Sequence, residues 1–171
     1  MWFIVPTSTD KGVSRAFTRP SGFTKLMRPS ITAGLDDGET EVLQGVGLWL
    51  PGGPEDYAIP DLSVVDADLD EHVIENNCYA LLFSALCRRS PPTTTTMTCA
   101  PRSPYAEAKI PVYVIVNRKH GRVHVLTEPV ADGYDSHQVY APGRQVTLPA
   151  SIGAEVTLDV ADLLKAGQHR K

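Results

Sequence analysis

Ile110-Pro111-Val112-Tyr113-Val114-Ile115-Val116 is β-branched or aromatic at almost every position and apolar at both alternating sets of positions. A strand with one solvated face alternates apolar and polar residues. One that is apolar on both faces is covered on both sides and belongs in the middle of a sheet. Such a strand needs neighbours, and the flanking sequence supplies them. Upstream, Tyr105-Ala106-Glu107-Ala108-Lys109 suits the end of a helix, with Glu107 and Lys109 exposed. Downstream, Asn117-Arg118-Lys119-His120-Gly121 turns the chain into Arg122-Val123-His124-Val125-Leu126-Thr127. Further strands are expected at Ser136 to Tyr140 and Gln145 to Leu148. Leu158 to Leu164 has a short helical period, for which Asp159 is suited as N-cap.

Working back from the central strand, Gly45-Val46-Gly47-Leu48-Trp49-Leu50 is apolar, Pro51-Gly52-Gly53-Pro54 is a turn, and Ala58-Ile59-Pro60-Asp61-Leu62-Ser63-Val64-Val65 resumes an extended run. Two neighbouring core strands are expected there, with Glu55-Asp56 solvated at the loop tip and Trp49 packed in the core or against an edge. Residues 1–34 carry five Lys or Arg against one Asp and show no apolar period, so they are expected to be irregular or disordered. The remaining residues, 35–171, are enough for one domain and too few for two.

A net charge of -4 and a pI near 5.7 argue against a protein that coats nucleic acid through bulk positive charge, while leaving room for a local basic groove. No apolar run is long enough to span a membrane. The opening Met1-Trp2-Phe3-Ile4-Val5 ends at Pro6, too short for a signal-peptide core, so a cytoplasmic location is expected. Cys78, Cys87 and Cys99 are too widely spaced for a zinc knuckle and read as free thiols. Gly-x-Ser-x-Gly, His-Glu-x-x-His and phosphate-binding glycine loops are all missing, which removes the commonest other hydrolase classes.

Tyr57-Ala58-Ile59-Pro60-Asp61-Leu62-Ser63-Val64-Val65, then Tyr105 to Arg118, the Gly121 to Leu126 hairpin and the Val146-Thr147-Leu148-Pro149 turn occur in an order and spacing that resemble the Uma-two family of restriction endonucleases, small members of the PD-(D/E)xK nuclease superfamily. The resemblance implies an α/β fold, a restriction-endonuclease-like mixed sheet with flanking helices, acting on DNA with Mg²⁺ as cofactor, and it admits a homodimer. It also implies a site in which two carboxylates on adjacent strands hold the ion, the ion lowers the pKa of an attacking water, and a lysine stabilises developing negative charge. Asp61 matches the first carboxylate and is the candidate catalytic and metal-binding residue.

The family's second carboxylate, in a Glu-Val-x-Ser strand, and its Asp-x-x-x-Lys are missing. Between Asn76 and Tyr105 there is no Asp, Glu or Lys; the segment holds Arg88-Arg89-Ser90-Pro91-Pro92 and a run of threonines instead. A one-base slip in the coding frame accounts for this. If each codon is read from its third base, Met97-Thr98 yields GAC, an Asp, without freedom. Arg88-Arg89-Ser90 permits Glu-Val, and Ser90-Pro91-Pro92 permits Thr-Ser. Thr98 to Arg102 permits Leu-Arg-Thr-Lys, and the threonine run becomes a series of NAC codons. The missing signature is thus permitted where it is missing.

In the chain as it stands, residues 79–104 are therefore expected to be aberrant. Residues 87 to 104 should form a loop, with Ala80 to Leu86 left as a short helix or strand. Arg89 or its neighbourhood stands in place of the second carboxylate, and Pro101 or Arg102 in place of the lysine. The expected activity is metal-dependent hydrolysis of DNA phosphodiester bonds, lost here with the second carboxylate and the lysine. The alternative is a non-enzymatic β-rich interaction module. His120 and His124 are expected to face solvent beside a turn, and His137 to lie on a late strand, with no ligand partner for any of them.

Overall fold

A computed structural model describes residues 28–29, 31–33, 40–44, 47–51, 57–58, 60–66, 73–75, 78–79, 83–90, 103–153 and 155–165. In chain order their strands are β1 (Thr40–Leu43), β2 (Gly47–Trp49), β3 (Tyr57–Ala58), β4 (Leu62–Asp66), β5 (Val73–Glu75), β6 (Cys78–Tyr79), β7 (Phe83–Ser90), β8 (Val112–Asn117), β9 (Arg122–Val130), β10 (Gly133–Tyr140), β11 (Gln145–Leu148) and β12 (Val156–Asp159). The helices are α1 (Pro104–Glu107) and α2 (Val160–Lys165), with a 3-10 turn at Ala150–Ile152.

Six strands form the main sheet in the order β1-β4-β7-β8-β9-β10. Every pair in it is antiparallel except β7 with β8. Parallel neighbours cannot be joined by a tight hairpin, and the connection between β7 and β8 carries α1. β8 is the strand whose composition is apolar on both faces, and its valines 112, 114 and 116 are buried, as are Tyr113 and the preceding Ile110. Each such side chain contributes roughly 1.5–3 kcal/mol by leaving water.

The alternation of β8 divides the interior into two layers. Val112, Val114 and Val116 join Leu62, Val64, Val123 and Val125 beneath the β11-β12 hairpin and α2, through Val146, Leu148, Val156, Val160 and Leu163. Tyr113 faces the other way, into a layer with Val65, Tyr105, Ala108 and Ile110 that also holds Leu48, Leu50 and Ala58 around the smaller sheet, β3-β2-β6-β5. α1 is held against this second layer. Lys109 closes it at φ 56, a left-handed conformation usually taken by glycine, and the Lys109 and Ile110 amides donate to the carbonyls of Ala106 (2.8 Å) and Tyr105 (3.0 Å). Asp159 caps α2: its Oδ1 accepts from the amides of Ala161 at 2.7 Å and Asp162 at 3.2 Å.

Three sequence expectations need correction. Residues 87 to 104 are not a loop throughout. β7 runs on through Arg88, Arg89 and Ser90, paired with β8 from Ala85↔Val112 to Ser90↔Asn117, and α1 already begins at Pro104. The physical reason is that a strand held between two neighbours satisfies its backbone groups whatever its side chains are. Pro91, which lacks an N–H, follows the last strand residue; residues 91–102 lie outside the described set. Secondly, the extended run from Ala58 to Val65 is divided between two sheets. β3 pairs with β2, whereas β4 pairs with β1 and β7. Thirdly, residues 28–29 and 31–33 of the segment expected to be irregular are helical, and Ile31 is buried in the first layer, because a single large aliphatic side chain suffices to dock a short turn. Residues 1–27, 30 and 34 lie outside the described set.

Candidate functional site

Pro60 is buried and has no amide hydrogen to give a ladder, so β4 starts only after it and Asp61 falls on the bend at the strand's mouth, half-buried. From there Leu62 and Val64 turn into the first layer and Val65 into the second. Alternation puts Asp61 and Ser63 on the side of Val65. Ser63 is fully buried and its Oγ has no hydrogen-bond partner. Its partners in the ladder are Leu43 of β1 and Leu86 of β7. Such an orphan costs about 1–3 kcal/mol. Nothing in the sequence marks it, because a serine in an apolar run reads as incidental until its neighbours across the sheet are known.

The strand beside Asp61 is β7. Leu62 stands opposite Cys87 in antiparallel register, so the next step toward the mouth of β4 brings Asp61 to the position of Arg88. Opposed residues in antiparallel strands share a face. Continuing across the sheet, Arg88 pairs with Ile115, Ile115 with His124, and His124 with Val139. One row therefore runs from Asp61, at the mouth of β4, across β7, β8, β9 and β10, and the arginine in it is Arg88, one residue before Arg89, where the resemblance sets the second carboxylate.

An Mg²⁺ ion prefers several hard oxygen donors and is repelled by a neighbouring cation. Around Asp61 the register offers one carboxylate and Arg88. Among the described residues, no group of three or more His, Cys, Asp or Glu is placed to hold a metal ion. Among the described residues, Asp61 and its neighbours along the ladder do not supply the set of oxygen donors that the ion in the nuclease resemblance needs. The position of the family lysine, at Pro101 or Arg102, lies outside the described set.

Further along the same row, His124 is not a solvent-facing residue beside a turn. It is half-buried, and its Nδ1 lies 2.9 Å from Nε2 of His137 on β10, with the rings stacked at 5.2 Å and 23°. Burial, then the proximity of His137 and of His120, holds the pKa of His124 below its ordinary value. The sequence hides this pair because thirteen residues separate its members. The β9-β10 register brings them together: Leu126 opposes His137 and Val139 opposes His124, so the two rings are diagonal neighbours. In the second layer, Tyr134 stacks on Tyr113 at 6.3 Å and donates its hydroxyl to the Ile110 carbonyl at 2.9 Å. Burial, with Tyr113 and Tyr105 adding to it, pushes its pKa well up.

A mixed sheet of this order, with a single parallel pair and helices on its faces, is a restriction-endonuclease-like α/β fold. The profile of the Uma2 family, described as "Putative restriction endonuclease", matches residues 30–161, and the chain belongs to that family. Among solved structures the fold is similar to that of "a putative nuclease belonging to DUF820 from Anabaena variabilis", with a TM-score of 0.59 over 84% of this chain and 79% of that one. The two sequences are 13% identical, so this likeness concerns the fold alone. No curated protein matches the chain.

Proposed function

We propose that this chain has the framework of a metal-dependent DNA endonuclease but, with its residues as they stand, does not hold the metal and does not cut. The observation that carries this reading is the β4-β7 register, in which Leu62 opposes Cys87; continued by one step, it sets Arg88 opposite Asp61. Family membership supports DNA as the partner and the phosphodiester bond as the intended target. The missing second carboxylate supports the loss of hydrolysis, since one aspartate beside an arginine cannot gather a hard divalent ion. The sheet row from Asp61 to His124 is the surface on which DNA would be met.

The test is incubation of the full chain with supercoiled plasmid DNA in Mg²⁺ or Mn²⁺, alongside fluorescence anisotropy with a short duplex. The expected result is salt-sensitive binding with no nicking. Metal-dependent nicking that disappears in Asp61→Ala would overturn the loss of activity. Neither nicking nor DNA binding would favour the second reading, a β-rich interaction module. That reading is supported by β10, an edge strand of the main sheet on which Val139 is 51% exposed.

A further inference from the structure

The pairing of His124 with His137 takes no part in the metal chemistry expected at Asp61. From Asp61 to His124 the row spans three strand spacings, about 14 Å, so the imidazoles cannot share an ion with the aspartate. The two rings face each other nitrogen to nitrogen at 2.9 Å, one donating and the other accepting. Imidazole nitrogen is a ligand suited to zinc, copper and nickel and ill suited to Mg²⁺. At Zn–N distances of about 2.0–2.1 Å, two nitrogens in a tetrahedral shell lie about 3.3 Å apart. The two nitrogens would have to part by a few tenths of an ångström, the rings turn so that both lone pairs converge, and the shared proton shift to the far nitrogen of the ring that carries it. Both rings sit on neighbouring strands of a rigid ladder, so the approach of their nitrogens is set in advance by the fold.

We propose that His124 and His137 bind a divalent ion of the zinc class across the β9-β10 hairpin, with water completing the coordination. The partial burial of His124 favours its neutral, ligating form. The charged residues two positions along the two strands are Arg122, whose Nη1 donates to the Gly121 carbonyl at 3.0 Å, and Asp135, which is exposed. Binding moves the shared proton to the far nitrogen of the ring that carries it, so both rings stay neutral, and affinity falls as pH drops because protons compete with the metal for imidazole nitrogen.

The experiment is a Zn²⁺ titration of the full chain, followed through the imidazole signals in ¹H–¹⁵N NMR spectra, so that zinc on a cysteine would leave the signals unmoved. The His124 and His137 rings are expected to shift together and to saturate, and the melting temperature to rise with free Zn²⁺. Even partners outside the first shell of a metal are worth about 10–100-fold in affinity, so His137→Gln, on an exposed side chain, should weaken binding at least that much. His124→Gln should do the same, with Mg²⁺ moving neither ring. Zn²⁺ affinity unchanged in His137→Gln, or ring signals that do not move in the unaltered chain, would overturn the proposal.

Discussion

Arg88→Glu should give this chain the divalent-ion affinity that its sequence denies it. Cross-strand partners in an antiparallel ladder lie about 5 Å apart at Cα, and continuing the β4-β7 register one step beyond Leu62 and Cys87 sets Arg88 opposite Asp61. Replacing a positive by a negative charge beside a divalent ion changes the Coulomb energy by four unit products, about 3 kcal/mol at 5 Å even with the dielectric constant of bulk water. Each 1.4 kcal/mol is about a factor of ten, so the gain should be about 100-fold or more. At physiological salt the Debye length is about 8 Å, longer than the separation, so the gain should survive in ordinary buffer. Isothermal titration with Mn²⁺ measures it. Arg88→Gln, which removes the cation without adding a ligand, should show about half the free-energy gain, and Asp61→Asn should cancel the gain in the Arg88→Glu background. A folded Arg88→Glu chain that binds Mn²⁺ no better than the parent would refute the register argument and, with it, the account of why the ion does not fit.

The lowered pKa of His124 has a consequence for stability, read by melting temperature against pH. Below about pH 6.5 the unfolded chain takes up a proton that the folded chain refuses, so stability falls as pH drops from there, and His124→Gln should flatten that part of the profile. Asp159→Ala removes the acceptor for two amides at the start of α2 and should cost about 1 kcal/mol in urea denaturation, with an unchanged m-value. Tyr134→Phe leaves the Ile110 carbonyl without its donor while keeping the ring stack, and should cost about 1 kcal/mol by the same measurement; a neutral result would mean that water replaces the hydroxyl. Sequencing of the gene should find Arg88 ending in G and Arg89 as AGG, so that the displaced frame reads Glu-Val; any other codons there remove the frame-slip explanation of the segment.

β8 was legible from composition alone, because seven successive apolar residues can only be covered on both faces, and its neighbouring hairpin followed from the turn at Asn117 to Gly121. Asp159 was legible as a cap because capping is local: the side chain reaches amides two and three residues ahead. Asp61 was legible as a candidate only through the resemblance of its surroundings. β7 was misjudged beyond Leu86 because side-chain character was weighed without the two strands that hold its backbone. The His124-His137 contact and the orphaned Ser63 hydroxyl were out of reach for the same reason.

The sequence by itself determined the central place of β8 and the hairpin after it, the cap of α2 and the lack of an acidic residue between Asn76 and Tyr105, since each of these depends on residues close together in the chain. Only the tertiary structure decided which residues stand side by side across strands: Cys87 at Leu62, Leu43 and Leu86 on either side of Ser63, and one imidazole against another. The physical reason is that ladder register couples positions many residues apart, and a shift of one residue exchanges the two faces of a strand.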